Sequence, residues 1–431
     1  MAGFTQLLRE NRNYRHMWTA QVVSEVGDHF NNIAVFSLAL AHTGSGMVVA
    51  GVMLSRAIPA VLAGPLAGVV LDRLDRKRVM IASDLIRAFV ALGFIGTVYY
   101  KSNWLMYLLS GLLMFASPFF TSGRASILPT IASKEELHAA NTLTQTTQWS
   151  NLVIGAFLGA TSVTHFGFQW SFALNAFSFF YSAWSISRIR LRRGSFRVER
   201  RDLTGTEVVR PWREYAEGLR YIRATPLIFG IAMVNVGWAT GGGAAQILFS
   251  LFGEIVFRRG PAGIGVIWGC AGIGLLAGGI IGHKLGPRLS FDNYKRAIVI
   301  CYIVHGSTYV LFSVMEAYWA ALLFIALSRV AMAVSSVLNF AKLLRYVPDQ
   351  YRGRVFATNE SVTWAVMMIS LAAAGIASEH VSPRLIGVWS GILSSSTALM
   401  WGYLNWTGRL PHPDEEVLET QEVELCGQAR H

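Results

Sequence analysis

The chain has 431 residues and a net charge of +12, but only 14% of its residues are charged and 53% are hydrophobic. This composition excludes an ordinary soluble enzyme, because too few polar side chains remain to cover a soluble surface. It predicts an all-α integral membrane protein, because a transmembrane helix satisfies its own backbone hydrogen bonds in lipid.

Apolar runs that could cross a bilayer recur along nearly the whole chain. A helix needs about 20 apolar residues to cross the roughly 30 Å hydrocarbon core. Twelve such runs occur, and we expect twelve transmembrane helices, called spans one to twelve. The spans cover residues 17–41, 48–71, 79–100, 103–123, 138–163, 167–188, 226–252, 262–283, 295–315, 317–341, 353–378 and 384–406.

Basic residues are sorted onto alternate loops. One set of loops holds the N-terminal arginines, the 73–78 loop, Arg124 and Lys134, the 188–223 segment and further basic residues of the second half. The other set holds little beyond Lys101, Arg258, Arg259 and Arg384. By the positive-inside rule, both termini and the long middle loop lie in the cytoplasm, with the chain in the cytoplasmic (inner) membrane. This sorting explains the positive charge without nucleic acid, so no nucleic-acid partner is expected.

Span one carries a polar face. Gln21, Glu25, Asp28 and Asn32 follow one another at intervals of four, three and four residues, which places them on one side of a helix. At 1.5 Å per residue, Asp28 lies about 16 Å into the span, near the middle of the bilayer. A carboxyl group there needs a partner, water or a function. We expect Asp28, with Glu25, to load and release protons; the alternative is a structural hydrogen-bond anchor.

His29, beside Asp28 and Glu25, is a weak candidate for a metal ligand. No second histidine or cysteine cluster accompanies it, so we expect no metal and no other cofactor. The span is long, polar inside and preceded by arginines, so we also expect it to be retained rather than cleaved.

Arg56 in span two lies at a similar depth, about 22 Å from the inner end of its helix. It could form an ion pair with Asp28. If a substrate anion or a gating motion drew Arg56 away, the pair would couple proton uptake to transport. A permanent buried salt bridge is an equal alternative.

Amide and indole groups on other spans suit a ligand-binding cavity, because a few polar groups usually orient a ligand in an apolar pocket. The alternative is that each amide binds a neighbouring helix. The predicted cavity residues are Asn32, Arg56, Gln145, Asn235, Trp238, Gln246 and Arg329.

Arg329 in span ten could hold a substrate carboxylate or phosphate with two hydrogen bonds. Glu360, about two turns into span eleven, is a third candidate for proton coupling. It could instead neutralise Arg329, which would make both residues scaffold.

The middle segment is the only long hydrophilic stretch between spans. It opens with arginines that suit anionic lipid head groups, and its Trp212, Tyr215, Leu219 and Ile222 recur at helical spacing. We expect an interfacial helix on the inner leaflet; a soluble linker helix is the alternative. The predicted domains are 1–188 and 226–407, each a six-helix bundle, with a linker at 189–225 and an acidic, disordered cytoplasmic tail at 408–431.

The two halves show an internal repeat. Leu128-Pro129 followed by Ala140-Asn141 before span five matches Val347-Pro348 followed by Thr358-Asn359 before span eleven. Two six-helix halves in the same orientation are typical of one large class of transporters.

The loop between spans two and three carries Gly68, Asp72, Arg73, Arg76 and Lys77. This pattern resembles the conserved loop motif of the major facilitator superfamily, although Leu71 and Asp75 depart from its usual form. Further motifs resemble the branch of that superfamily that holds the enterobactin exporter and the macrolide efflux proteins. They are Asn13-Tyr-Arg-His-Met-Trp, Gly27-Asp28, Asp84-Leu-Ile-Arg87 and Pro348-Asp-Gln-Tyr-Arg-Gly-Arg354.

The resemblance implies two bundles that rock about a central cavity lined by spans one, four, seven and ten. It also implies a cytoplasmic gate, in which Asp72 holds the N-terminus of span eleven. Arg76, Asp84 and Arg87 would complete a charge network with Asp72 that stabilises the outward-facing state. The predicted gate residues are Gly68, Asp72, Arg73, Arg76, Lys77, Asp84 and Arg87.

We therefore expect a secondary transporter rather than an enzyme, with protons and membrane lipids as partners and a monomer as the working form. The expected activity is proton-coupled export of a small amphipathic or anionic organic compound, such as a siderophore or a macrolide. A metal-ion or lysophospholipid transporter of the same fold is the alternative. A membrane sensor that transports nothing is a more remote one.

Overall fold

The computed structural model describes residues 4–190 and 211–410, and these two ranges contain helices and no β-strand. The acidic tail from residue 411 and the linker residues 191–210 lie outside this description. The helices are α1 Phe4–Glu10, α2 Arg12–Thr43, α3 Gly46–Arg73, α4 Arg76–Tyr100, α5 Asn103–Ile131, α6 Lys134–Ser187, α7 Pro211–Ala224, α8 Pro226–Leu251, α9 Gly260–Leu285, α10 Phe291–Val314, α11 Tyr318–Tyr346, α12 Asp349–Ala377 and α13 Pro383–Trp406. Each of the twelve predicted spans lies in one of these helices, and five of them extend one residue beyond an end of it.

The longest helix, α6, contains two spans. Gly167 inside it has φ 83° and ψ 176°, a conformation that breaks the helix and suits only glycine. The hydroxyls of Ser162 and Ser171 lie 2.9 Å apart. Nine residues of straight helix would separate them by about 13.5 Å. The chain therefore folds back at Gly167, between the predicted spans five and six.

Nine of the described helices are long and apolar enough to cross a membrane. The polar helix α2 and the serine-rich helix α13 are not among these nine, and the folded-back α6 counts once. Twelve spans are consistent with these nine helices. The nine, together with the second half of α6, α2 and α13, add up to twelve.

Six of the described helices begin at a side chain that accepts from a free backbone N–H. The hydroxyl of Ser133 caps α6 by accepting from Glu136 N, and the Glu136 carboxylate accepts from Ser133 N in return. This reciprocal arrangement fixes the start of α6 after the short link from α5. Single side-chain caps are Asn11, Ser45, Asp75, Ser102 and Ser290.

The described residues divide into two compact units. Unit 1 comprises residues 4–190, 247–272 and 374–383. Within it, α2 packs along α6, α3 packs against α5, and α4 packs against both α5 and α6. Its apolar core at the α1 end contains Leu7, Tyr14, Met17, Phe120 and Ile127.

Unit 2 comprises residues 211–246, 273–373 and 384–410. Its core is anchored by Tyr294, whose hydroxyl donates to Asn339 Oδ1 at 2.8 Å, and by Trp401, whose Nε1 donates to Lys295 O at 3.0 Å. Both rings are fully buried. Two aromatic residues therefore fill this core while their polar atoms are satisfied.

Helix α7, which follows the undescribed part of the linker, lies against α12 in unit 2. The ring of Tyr221 stacks on Tyr351 with centroids 4.7 Å apart, and Arg354 forms a salt bridge of 2.9 Å with Glu217. Gly218 permits this approach, because a Cβ there would lie 2.8 Å from the backbone oxygen of Arg354. One side of α7 is therefore occupied by protein.

Candidate functional site

The polar face of α2 in unit 1 lies along α6, which has small residues at the points of closest approach. Gly27 of α2 faces Ser178 of α6, and His29 faces Gly155 and Gly159. A Cβ at Gly159 would lie 2.7 Å from the backbone oxygen of His29. The imidazole of His29 therefore fills a gap between α2 and α6. Among the described residues, no group of three or more His, Cys, Asp or Glu could hold a metal ion.

Asp28 lies one residue before His29 and has an unusual environment. Its Oδ1 is enclosed by protein, yet no described group donates a hydrogen bond to it. The charges that act on it are the guanidinium groups of Arg87 and Arg56 and the carboxylates of Glu25 and Asp84. A carboxylate oxygen with no donor is costly inside a protein. Asp28 Oδ1 is thus a buried acceptor that no described group satisfies.

Arg56 of α3 is bound by amides rather than by Asp28. Its Nη2 donates to Asn31 Oδ1 at 2.7 Å, and its Nη1 donates to Asn32 Oδ1. Its guanidinium also lies 5.2 Å from the centre of the Phe36 ring. The predicted ion pair with Asp28 is therefore not formed, because two neutral oxygens on the next turn of α2 occupy the guanidinium.

Both carboxylate oxygens of Glu25 have partners. Its Oε1 lies 3.2 Å from Arg124 Nη1, and its Oε2 accepts from Asn151 Nδ2 at 2.8 Å. The sequence missed Arg124 because span four was expected to end at residue 123, whereas α5 continues to Ile131. The triad of Glu25, Arg124 and Asn151 joins α2, α5 and α6 at one point.

The loop between α3 and α4 divides into exposed and bound residues. Asp72 and Arg73 are exposed, and a Cβ at Gly68 would meet open space. Arg76 Nη1 donates to Ser126 O at 2.9 Å. Lys77 Nζ donates to the backbone oxygens of Ser187 at 2.7 Å and Ile189 at 2.9 Å.

The predicted charge network behind this loop is only partly formed. Asp84 and Arg87, three residues apart on α4, make a buried salt bridge. The Arg87 guanidinium also lies 4.9 Å from the Phe120 ring centre and 4.4 Å from that of Phe179. Arg76 binds a backbone carbonyl and Asp72 is exposed, so neither of them joins the pair of Asp84 and Arg87.

Predicted site residues of unit 2 lie in different surroundings. Arg329 of α11 is buried, and it lines a narrow pocket together with Trp238 of α8. Glu360 of α12 is exposed and accepts a hydrogen bond from Trp364 Nε1 at 3.1 Å. Its hydrogen bond is thus within its own helix.

The remaining predicted cavity residues are spread along their helices. Asn235 and Gln246 are half-buried on α8, whereas Gln145 is exposed on α6. Sequence reasoning missed Tyr309 and His305 of α10, which line the same pocket as Trp238 and Arg329. Tyrosine and histidine within an apolar run gave no periodic signal that would have singled them out.

The sequence matches the Major Facilitator Superfamily over residues 17–372. It is 24% identical over 378 residues to the putative bacilysin exporter BacE of Bacillus subtilis (strain 168), covering 87% of this chain and 91% of the relative. It is 22% identical over 398 residues to macrolide efflux protein A of Streptococcus pyogenes, covering 90% and 95%. It is 27% identical over 298 residues to the enterobactin exporter EntS of Salmonella choleraesuis (strain SC-B67), covering 67% of each.

Solved structures share the fold. A bacterial homologue of the iron transporter ferroportin in an inward-facing state superposes with a TM-score of 0.70 at 16% identity, covering 90% of this chain and 98% of that chain. The nucleoside transporter NupG superposes with a TM-score of 0.67 at 12% identity, covering 90% and 98%. At such identities the likeness concerns the helical architecture alone.

Proposed function

We propose, from the premise that this chain belongs to the Major Facilitator Superfamily, that it exports a small amphipathic or anionic organic compound in exchange for protons. The predicted superfamily and helical fold are confirmed, and the chain is a multi-pass membrane transporter. We further propose that it lies in the inner membrane with both termini in the cytoplasm, as the sorting of basic residues indicates.

The names of the relatives support export. Three of them are called a bacilysin exporter, a macrolide efflux protein and an enterobactin exporter. Alignment with the first two extends over most of both chains. We infer a substrate of the size and chemistry of a siderophore or a macrolide.

The observation that carries proton coupling is the enclosed Oδ1 of Asp28, to which no described group donates. A protonated carboxyl group would remove the unpaired charge, whereas a deprotonated one is drawn towards Arg56 and Arg87. The two protonation states of Asp28 therefore favour different arrangements of the same helices. A proton that binds in one conformation and leaves in another can drive transport by this difference.

Arg56 supports the mechanism as a fixed cation. Its two amide partners hold the guanidinium without neutralising it, so its field at Asp28 persists through the cycle. Glu25 is held by Arg124 and Asn151, which leaves Asp28 as the carboxyl group of α2 that is free to titrate. We assign Glu25 the role of scaffold for α2 and Asp28 the role of proton carrier.

Proton flux in inside-out membrane vesicles tests this proposal. Vesicles that carry the wild-type chain are energised, and catechol siderophores, macrolides and lipophilic cations are added in turn while the internal pH is followed. We expect one class to collapse the pH gradient in the wild type and not in Asp28→Asn. Glu316→Gln, which removes an exposed carboxyl group, is the matched control and should behave as the wild type. Glu360→Gln tests the second predicted carrier.

Two outcomes would overturn the proposal. If Asp28→Asn keeps full proton flux with the same compound, Asp28 is not the carrier. If no organic compound moves protons while Fe²⁺ or a lysophospholipid is transported, the alternative substrates replace organic export.

A further inference from the structure

Unit 2 contains a narrow pocket formed by four helices. It is too narrow to hold a water molecule. On one side of the pocket, Gly241 of α8 lies against the backbone of Ser390 of α13. The lining residues are Trp238, Gly241, Gly242, Ala245, His305, Tyr309, Arg329, Ser390 and Ser394.

Two donors that line this pocket have no hydrogen-bond partner in the described protein. They are the indole Nε1 of Trp238 and the hydroxyl of Tyr309, and both atoms are buried. Tyr309 is 2% exposed. Buried tyrosine and tryptophan usually find a partner for their polar atom. Two unsatisfied donors on one pocket therefore point to a ligand that accepts hydrogen bonds.

A positive charge lies on the same wall. Arg329 is 7% exposed, and its Cζ lies 5.9 Å from the centre of the Tyr309 ring. Its Nη1 donates to the thioether sulfur of Met332 at 3.4 Å, which is a weak acceptor. An arginine guanidinium presents a planar set of donors that matches a carboxylate. The charge of Arg329 and the two donors favour the same kind of ligand.

The other polar groups of the pocket are already committed. The hydroxyls of Ser390 and Ser394 donate to backbone oxygens of their own helix, Ile386 O at 2.8 Å and Ser390 O at 2.7 Å. His305 Nδ1 lies 2.8 Å from the Ser328 hydroxyl and 3.1 Å from the Ser328 backbone oxygen, so both of its contacts are with α11. These residues shape the pocket but do not compete for an anion.

We propose that this pocket is the closed form of a carboxylate-binding subsite, in which Arg329, Trp238 Nε1 and Tyr309 hydroxyl hold the carboxylate of the transported compound. The inference rests on the proposed function and narrows the substrate to compounds that carry a carboxylate. Opening the pocket requires only that α8, α10 and α11 separate slightly. An anion would then supply the acceptor that both donors lack.

Binding by the purified full-length chain tests the subsite without transport. The chain is labelled with ¹⁵N at the tryptophan indoles, and the Trp238 signal is identified by its loss in Trp238→Phe. Sodium butyrate is added up to about 100 mM, beyond the millimolar affinity expected of so small a ligand. Butyramide, of similar size and uncharged, is added to a parallel sample, and both series are held at constant ionic strength with sodium chloride.

We expect butyrate to move the Trp238 indole N–H signal downfield in a saturable manner, and butyramide to leave it in place. Tyr309→Phe should weaken butyrate binding about tenfold, the loss of one hydrogen bond to a charged group. This variant should keep its melting temperature, because the hydroxyl that it lacks has no partner in the protein. Arg329→Gln should abolish binding and Arg329→Lys should restore part of it.

Tyr302→Phe is the matched control, since Tyr302 is also a buried tyrosine of α10 but does not line the pocket. Its butyrate affinity should equal that of the wild type. No shift with butyrate, an equal shift with butyramide, or unchanged affinity in folded Tyr309→Phe would each overturn the subsite. Proton flux that depends on Asp28 without butyrate binding would refute the subsite and leave the proposed function intact. Butyrate binding without proton flux for any compound would refute the proposed proton-coupled export and leave the carboxylate-binding subsite intact.

Discussion

The imidazole of His29 on α2 fills the space that a side chain at Gly155 of α6 would occupy. A Cβ at residue 155 would lie 2.7 Å from His29 Cγ and 2.8 Å from His29 Cβ. Gly159, one turn later, faces the backbone of the same residue. Two glycines on α6 thus let the polar helix α2 lie flush against it, and this contact sets the position of the neighbouring Asp28.

Gly155→Ala should destabilise the protein, because the new methyl group overlaps the imidazole. Overpacking of this kind costs about 1–3 kcal/mol. The measurement is the melting temperature of the purified protein in detergent. In Gly155→Ala/His29→Ala the ring atoms are gone but His29 Cβ remains, so we expect partial recovery.

Gly159→Ala provides the contrast to that rescue. A Cβ at residue 159 would meet the His29 backbone oxygen at 2.7 Å, and no change of the His29 side chain removes that atom. His29→Ala should therefore fail to rescue Gly159→Ala. Equal rescue at both glycines would show that α2 and α6 do not pack as described.

Glu25→Gln should destabilise the protein more than Glu25→Gln/Arg124→Gln does. The single change leaves Arg124 without its counter-charge, whereas the double change removes both charges of the pair. For a buried group left unsatisfied, the expected loss is about 1–3 kcal/mol. Melting temperatures of the wild type, both single variants and the double variant give the coupling energy. A coupling near zero would contradict a structural role for the pair.

Substitutions of Asp75 and Asp72 should distinguish an effect on stability from an effect on gating. Asp75 caps α4 by accepting from Arg78 N at 2.9 Å, so Asp75→Ala should lower stability by about 1 kcal/mol. Asp72 is exposed, so Asp72→Asn should leave stability unchanged. If Asp72 is the proposed gate residue, its variant still loses transport per folded molecule. A variant of Asp72 with normal transport would remove it from the gate.

Gly167→Ala should destabilise the turn between the two halves of α6. The backbone at φ 83° and ψ 176° is open to glycine and strained for alanine, at a cost of about 1–3 kcal/mol. Ala160→Gly tests a helical position of the same α6 segment and is the matched control for chain flexibility. Thermal melts of the two variants distinguish local strain at the turn from a general weakening of α6. Unchanged stability in Gly167→Ala would contradict the turn.

The sequence predicted features that depend on local pattern. The apolar runs placed the break between spans five and six at residues 163–167, where Gly167 folds the chain back. Glu25, Asp28 and Asn32 belong to one helix, α2, as their spacing indicated. Which side chain each group would bind was beyond such patterns, because a partner is chosen by distances between helices. Arg56 therefore binds Asn31 and Asn32 rather than the expected Asp28.

The length of α5 explains why the sequence did not predict a role for Arg124. Arg124 was assigned to a loop because the apolar run stops near it, yet α5 continues beyond the run to Ile131. The additional turns are stabilised by packing, since Ile127 and Leu128 are buried in the core of unit 1. Hydropathy alone locates the part of a helix that meets lipid and not the part that meets other helices.

The polarity of α2 has a consequence for how the chain is made. A carboxyl group at the centre of a lone helix opposes insertion by about 2.5–3.5 kcal/mol, and α2 is not among the nine apolar helices. Its polar face is covered by α6, whose first residue, Lys134, is synthesised about 90 residues after the end of α2. The nascent α2 must therefore wait at the translocon, or lie at its edge, until α6 emerges. We expect a ribosome-bound chain that stops before α6 to leave its first helix accessible to the aqueous phase.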